Sequence, residues 1–398
     1  MYTEAEEQLR AARTEAEQAL REEVRAFAER EVAPLVDAME AARSVEHNLA
    51  RLITQQGWLG ATIDPAYGGI GVGHMGKTII IEEISRISPA MGAMVQASQL
   101  GASMLIHFGS TRQKKRWLPK IAAGAVLPTI AVTEPASGSH VLGMETTARR
   151  DGKHYILNGR KTYVGNSHIA DLHGVVARTG PGSNGLSAFL VENNRPGLTL
   201  APHREALGLH GFSFGDLIFD NCRIPAGNLL GKKGQGLDVA YSSSILYGRP
   251  NLAAVALGIH QAIRDETITY AQERHLYGKP LACLDTVKQR LGQIESNLMS
   301  ARVAAYDAVA RLDRHQLCDT YLINAKYEGI EALTETAALA GKIHGAAALF
   351  TDRPFQRYKR DAEHLWAPAG TGDIQLLRLS EAAGDTPHPQ WSQLLCQG

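Results

Sequence analysis

The sequence predicts an α+β protein laid out in successive zones. A helical N-terminal domain covers 1–125, a β domain 126–235 and a helical C-terminal domain 236–384, followed by a tail at 385–398. Three observations carry this. Before residue 126 and after 235, apolar residues recur at the three- and four-residue spacing of an amphipathic helix. Between them, short β-rich runs alternate with turn residues. The two patterns do not interleave, which excludes a doubly wound sheet or a βα barrel, where strands and helices alternate throughout.

The elements follow in order. Residues 4–40 are rich in Ala, Glu and Arg, with Leu20, Val24 and Phe27 on one face. Residues 78–108 supply further helical segments. The β zone contains the runs LPTIAVTEP, HYILNGRKTYVGN, HGVVART, LSAFLVENN and DLIFDNCRIP. Asp151-Gly152 and Asn158-Gly159 are hairpin-type turn signals, because glycine there admits positive φ. GPGSNG at 180–185 is a loop. VALGIHQAIRDETITYAQER, 285–312 and 319–343 each show one apolar face. The tail holds two prolines and is expected to be loose. No internal repeat is present.

Composition removes several function classes. The 398 residues include 41 basic and 41 acidic side chains, a formal net charge of zero. Nucleic-acid binding needs a concentrated cationic excess, so it is not expected. Apolar stretches such as 252–259 fall well short of the ~20 residues of a membrane span. The opening Met-Tyr-Thr-Glu-Ala-Glu-Glu lacks the basic-then-apolar layout of a secretory signal. Cys222, Cys283, Cys318 and Cys396 lie far apart with no C-x-x-C pair, as expected for the reduced thiols of a cytoplasmic protein.

Two motifs mislead. GVGHMGKT, Gly71 to Thr78, matches G-x-x-x-x-G-K-[ST] in full. A phosphate-binding loop needs a buried strand directly before it, so that the next helix N-terminus points at the phosphate. Here DPAYGGI, a turn-rich stretch, precedes it, and a Gly-rich surface loop before a helix is expected instead. GFSFG, Gly211 to Gly215, matches G-x-S-x-G, but a strand-like run follows where a nucleophile elbow needs a helix. His260, His275 and His344 stand alone on helical segments and are read as surface or satisfied core residues rather than ligands. No metal site is expected.

More weight rests on an ordered set of segments. AVTEPASGSH (131–140) opens the β zone, with small residues that let backbone approach a ligand and hydroxyls at Thr133 and Ser139. NGRKTYVGN (158–166) places Tyr163 in a strand-like run. RHLYGKP (274–280) closes a long helix with a cation and an aromatic. RDAEHLWAPAGTGDIQ (360–375) leads from a loop into a helix opening at Gly370-Thr371. With GWLGATIDPAYGGIGVG and LGLHGFSFGDLIFDNCRIP, these resemble the acyl-CoA dehydrogenase flavoprotein family over nearly the whole chain, in order.

The resemblance implies a middle β-barrel or sandwich, a C-terminal four-helix-type bundle, and FAD bound between them in a homodimer or homotetramer. It places Thr133 against the flavin ring and Ser139 near the cofactor phosphates or substrate. Tyr163 covers one flavin face and Gly165 offers backbone near it. Arg274 and Tyr277 reach FAD across a subunit interface, and Thr371 and Asp373 follow at the helix opening near the cofactor. Arg249 belongs to the substrate side. Arg274 also reads simply as a solvated cation suited to a helix C-terminus.

The resemblance also exposes a gap. Family dehydrogenases remove a thioester α-proton with a Glu that directly precedes the Gly-Thr pair; here the position is Ala369. A minority place the Glu just before the arginine equivalent to Arg249; here that residue is Gly248. The backbone N–H of Ala369 still allows polarisation of a thioester carbonyl. Tyr247 and Asp373 are the nearest titratable candidates for a substitute base. Other departures are His140, Lys342, Ala346, Ala348 and Asp285.

Three functions fit. The first is an FAD-dependent oxidoreductase on an acyl thioester, carried by coenzyme A or an acyl carrier protein, in a specialised or secondary-metabolic pathway. The second is a flavin monooxygenase on the same fold, which needs no such base and takes a flavin reductase as partner. The third is non-redox: a flavoprotein lyase or cyclase, or a binding subunit.

Overall fold

A computed structural model describes residues 15–384 and 390–395. The chain opening, Cys396 and most of the proline-containing tail lie outside the described residues. The N-terminal helices are α1 (Glu15–Phe27), α2 (Val36–Ala42), α3 (His47–Thr54), α4 (Gly73–Ile87), α5 (Pro89–Phe108) and α6 (Thr111–Ala122). Val24 and Phe27 of α1 are buried, as their spacing predicts. α5, apolar or small nearly all round, is buried along most of its length. α6 begins on a capping box in which Ser110 and Gln113 satisfy each other's backbone N–H groups.

The chain then forms β1 (Pro128–Ala131), β2 (Thr147–Asp151), β3 (His154–Gly165), β4 (Leu172–Arg178), β5 (Leu186–Glu192), β6 (Leu198–Leu200), β7 (Phe214–Pro225) and β8 (Leu229–Leu230). The sheet order is β6-β7-β3-β2-β4-β5-β8, with β1 parallel to β4. The five predicted runs are strands β1, β3, β4, β5 and β7; the short β2, β6 and β8 were not foreseen. β2 joins the sheet halves by a single residue pair to β4, Thr147 with Arg178. Tyr155 of β3 meets Phe189 of β5 with ring centroids 4.8 Å apart, so the halves close over a shared apolar core.

One turn prediction needs correction. Asp151-Gly152 does turn β2 into β3, but Asn158-Gly159 lies inside β3. The register shifts there, and Gly159 takes φ +139° against Thr146, where a Cβ would lie 2.5 Å from its hydroxyl. The glycine marks a bulge in a long strand rather than a hairpin.

The C-terminal elements are α7 (Gly236–Ser243), a π turn at Ser244–Gly248, α8 (Arg249–Glu273), the hairpin β9 (His275–Leu276) and β10 (Lys279–Pro280), α9 (Asp285–Asp313), α10 (Asp319–His344), α11 (Phe355–Glu363) and α12 (Gly372–Ala383). RHLYGKP is therefore a hairpin beyond the end of α8, not a helix end. α8, α9 and α10 pack on one another, and α8 and α9 also pack on α4, so the two helical zones form one body. The Asp313 carboxylate of α9 accepts the N–H groups of His74 and Met75, both at 2.7 Å, at the start of α4. In the interior, Glu82 accepts from Arg21 and Arg302 at 2.8 and 2.9 Å, which ties α1 and α9 to α4.

Helix and sheet meet at close range. A Cβ on Gly101 of α5 would lie 2.5 Å from the backbone of Pro128 and Thr129 in β1. Neither side has a flexible atom to yield, so Gly101→Ala should cost about 2 kcal/mol through overpacking. Urea unfolding checks this; an unchanged midpoint would show that β1 moves away freely.

No helix among the described residues is long and apolar enough to cross a membrane. No group of metal-ligating side chains is found there either.

Candidate functional site

The segment 366–370 links α11 to α12, and its conformation is set from inside the bundle. Ala369 has φ +55° and Gly370 φ +92°, so the chain turns through the left-handed region. An alanine there costs roughly 1–2 kcal/mol and needs support from its surroundings. Lys326 of α10 provides it. Its ammonium donates to the carbonyls of Trp366 (3.3 Å), Pro368 (2.6 Å) and Gly370. Gln375 of α12 donates to the Ala369 and Gly370 carbonyls at 3.1 and 2.9 Å.

These bonds aim the loop. The 368–369 peptide is trans, so the N–H of Ala369 points opposite to the Pro368 carbonyl that Lys326 holds. The donor at 369 is turned away from the lysine. Burial, with the Arg249 guanidinium nearby, pulls Lys326 down to about 7. Lys326→Met should leave the Trp366 and Pro368 carbonyls without their side-chain donor, with Gly370 kept by Gln375, and cost about 2 kcal/mol, net of the charge it removes. Hydrogen exchange through 366–371 should quicken; unchanged exchange and stability would show that Gln375 alone holds the loop.

The π turn at Ser244–Gly248 brings a second element to this loop. Such bulges reset the register of a helix face and recur at functional sites. Here the bulge delivers Gly248 and Arg249 to Ala369. A Cβ on Gly248 would lie 3.1 Å from the Ala369 methyl and 3.6 Å from Leu100. Arg249 Nε donates to the Ala369 carbonyl at 3.4 Å. The guanidinium is buried, which pulls it down to about 10.

Tyr247 requires correction. Its phenol is fully buried and its hydroxyl donates to Thr62 at 3.2 Å. Its ring packs against His74, His107 and Lys77. Burial drives its pKa well up, so it is a core residue and not a base for the loop at 369. Asp373 is exposed in the first turn of α12, where its charge suits the helix N-terminus. Thr371 is the N-cap and accepts from the N–H of Ile374 at 3.4 Å.

The β domain contributes a separate cluster. Thr133 and Ser139 flank a turn closed by mutual backbone bonds between Glu134 and Ser137. Beneath it, Lys161 of β3 reaches the Glu134 carboxylate and the Val132 carbonyl, both at 2.7 Å. Lys161 holds the Glu134 carboxyl below the ordinary range. Beyond Lys161 the register shifts again, and Tyr163 takes φ +53°. That strained backbone turns its ring outward, 52% exposed, beside Phe214 at 5.6 Å and Arg204 at 5.8 Å. Gly165 is needed for packing, since a Cβ would meet Phe212 and Ala97 at 3.0 and 3.1 Å.

The β domain and the bundle meet just before the 366–370 loop. Asp361 of α11 accepts the Leu209 N–H at 2.5 Å, and His364 accepts that of Gly208 at 2.9 Å. Arg274 and Tyr277 are not brought to this junction. They follow the C-terminus of α8, whose N-terminus holds Arg249. A helix of 25 residues separates the two ends by roughly 37 Å. Tyr277 stands 84% exposed on the hairpin turn.

GVGHMGKT is no phosphate-binding loop, but neither is it the expected surface loop, since α4 begins at Gly73 and takes in most of the motif. Lys77 of GVGHMGKT is fully buried against His74 and Tyr247 and faces no open loop. Ser213 of GFSFG is buried and accepts the His168 N–H as the chain enters β7. His260 bonds Thr336 in the core, and burial pulls it down to about 3. Sequence inspection missed Lys326, Gln375, Lys161 and Glu134. Three lie in a helix or strand and Glu134 in a turn, and nothing in any of those runs marks a polar side chain as turned inward.

Comparison with known proteins supplies the family. Models described as acyl-CoA dehydrogenase N-terminal, middle and C-terminal domain match residues 14–125, 129–222 and 234–384. An acyl-CoA dehydrogenase of Bacillus subtilis (strain 168) is 34% identical over 365 residues, covering 91% of this chain and 96% of that protein. The structure of glutaryl-coenzyme A dehydrogenase with glutaryl-CoA superimposes with a TM-score of 0.91 at 32% identity, covering 95% and 97% of the two chains. The prolyl acyl carrier protein oxidase AnaB superimposes with a TM-score of 0.89 at 26% identity, covering 94% and 100%.

Proposed function

The chain belongs to the acyl-CoA dehydrogenase family, and from that premise we propose that it is an FAD-dependent oxidoreductase of an acyl thioester whose site carries no carboxylate base of its own. The acyl group arrives on coenzyme A or an acyl carrier protein, within a specialised, cytoplasmic pathway. A flavin reductase or an electron-transfer partner completes the redox cycle.

The residues fit the cofactor. Tyr163 offers an outward-facing aromatic ring on backbone held left-handed, a ready surface for a flat ring system. Thr133 and Ser139 flank a turn braced from below by Lys161 and Glu134. In this reading FAD lies between the β domain (126–235) and the C-terminal helices (236–384), near Gly165, Thr371 and Asp373. The chemistry FAD supplies when bound is acceptance of a hydride. The length of α8 keeps Arg274 and Tyr277 from the same cofactor within one chain, so a homodimer or homotetramer supplies them from a second copy.

The observation that carries the proposal is the convergence of Gly248 and Ala369 beside an outward N–H. Lys326 fixes the Pro368 carbonyl, which leaves the Ala369 N–H to polarise a thioester carbonyl. At the same point the two positions that could bear a Glu are both small and nearly touch.

Anaerobic incubation of the holoprotein with acyl-CoA and acyl-carrier-protein substrates tests this. Bleaching of the flavin without oxygen is the expected result. Oxygen consumption that requires an added flavin reductase would replace the dehydrogenase by a monooxygenase. Protein that binds no FAD would remove every flavin-based reading.

A further inference from the structure

The C-terminal turn Trp391–Leu395 is folded onto the bundle rather than loose. Ser392 is fully buried, and its hydroxyl accepts the N–H of Cys318 at 3.0 Å. The Trp391 ring stacks on Tyr241 of α7, with centroids 6.1 Å apart. Trp391 and Leu395 also pack on the core that holds Ile245, Leu246 and Tyr247. The turn therefore lies against α7 and against the π turn that delivers Gly248 and Arg249 to Ala369.

One carboxylate joins this turn to the candidate site. Asp319, buried at the start of α10, accepts the N–H groups of Trp391 and Ser392 at 2.6 and 2.8 Å, one on each oxygen. The same carboxylate is a counter-charge to Arg249, although no ion pair joins the two among the described residues. Arg249 instead rests its Nε on the Ala369 carbonyl, and its Nη1 has no hydrogen-bond partner. Two acceptors thus compete for one guanidinium. A direct arginine–carboxylate pair is stronger than a single bond to a carbonyl. Arg249 stays on the loop because both Asp319 oxygens are aimed at the C-terminal turn.

We propose that the C-terminal turn is a positioning element of the candidate site: its backbone N–H groups hold Asp319 and so keep Arg249 on the Ala369 carbonyl. Asp319 is then a positioning residue, which acts through Arg249 and does not meet the substrate. Released from the turn, its carboxylate swings to the open Nη1 and draws the guanidinium off the loop. The Ala369 carbonyl then keeps only Gln375, and the left-handed backbone at 369 loses part of its support. The effect on the loop stands on this geometry alone; its effect on rate rests on the acyl-thioester reading above, through the Ala369 N–H.

Two full-length holoproteins test this, Trp391→Pro and Trp391→Ala. Both lose the stacked ring, but only proline loses the N–H that Asp319 accepts, and proline suits the first position of a helical turn. Amide exchange through 366–371 should be at least about fivefold faster in the proline variant than in the alanine variant, the usual lower scale of coupling between sites. Single-turnover flavin reduction should fall by a similar factor between the two, with thioester binding little changed. In an Asp319→Asn background no charge remains to draw Arg249 away, so the exchange difference should shrink below about twofold. Equal exchange in the two variants overturns the proposal, because the turn then acts by packing alone. A difference that survives Asp319→Asn overturns it too. Faster exchange with an unchanged rate would uphold the positioning of the loop and overturn the reading of the Ala369 N–H as the thioester's donor.

Discussion

Ala369→Glu should raise the anaerobic rate of flavin reduction by a saturated, uncharged acyl-CoA by at least about a hundredfold, the usual scale of a positioned general base. The backbone is already in place. Ala369 holds φ +55°, and a Glu there meets the same left-handed strain as the alanine it replaces. Its carbonyl stays tied to Gln375 and Arg249, so the new side chain departs from an anchored Cα. Gly248 has no Cβ to obstruct it. Arg249 offers its free Nη1 to the new carboxylate and keeps it ionised.

Gly248→Glu makes an informative contrast. Its Cβ would press on the Ala369 methyl at 3.1 Å, so it should gain less unless combined with Ala369→Gly. Single-turnover flavin reduction measures both variants. An unchanged rate in an Ala369→Glu protein that still binds FAD and thioester would show that the Ala369 N–H is not aligned with a substrate carbonyl.

The three-zone order and the main strands were legible because burial imposes its period on the chain. Leu20, Val24 and Phe27 repeat at helical spacing, while β4 and β5 are short, mostly apolar runs bounded by turns. β6 and β8 escaped because two or three residues hold no period. Asn158-Gly159 misled because a turn dipeptide and a bulge need the same positive φ, and only the neighbouring Thr146 decides between them. The candidate site was legible where the geometry is local, as in Thr371, which caps the helix after the 366–370 loop. It was illegible where a charge turns inward. Lys326 and Lys161 sit in ordinary helical and strand contexts, and only the fold places carbonyls or a carboxylate around each ammonium. Tyr247 was misjudged because adjacency to Gly248 says nothing about direction. On a helix, neighbouring residues face about 100° apart, and the phenol points into the α4–α8 core instead of the loop.

That core holds the second large effect. Lys77 is completely buried, with its ammonium 3.0 Å from His74 Nδ1 and 4.3 Å from the centroid of the Tyr247 ring. Burial pulls it from the ordinary 10.5 down to about 7, with Asp313 only partly opposing. An unfolded chain keeps the proton up to the ordinary value, whereas the folded chain releases it above about 7. Between those limits the unfolded state binds more protons, so stability rises with pH across the window and is lowest below it. Lys77→Met keeps the volume of the stem and removes this term. After subtraction of the lost contact with the Tyr247 ring, the variant should be more stable by about 3 kcal/mol at and below neutral pH. The advantage should shrink steadily as pH rises toward the ordinary lysine value. Urea unfolding of wild type and variant across the pH range measures the gap, and differencing the two cancels the titrating groups beyond reach of the Lys77 charge, leaving only its neighbours His74, His107 and Asp313. A gap that stays flat with pH would mean that Lys77 keeps its proton in the folded core, held by the Tyr247 face and His74. The sign also separates this lysine from Lys326. Both ammoniums are buried and both are pulled down to about 7. Lys326 repays its burial through three carbonyls of the loop, so its removal destabilises, whereas Lys77 has one imidazole and a ring, so its removal stabilises.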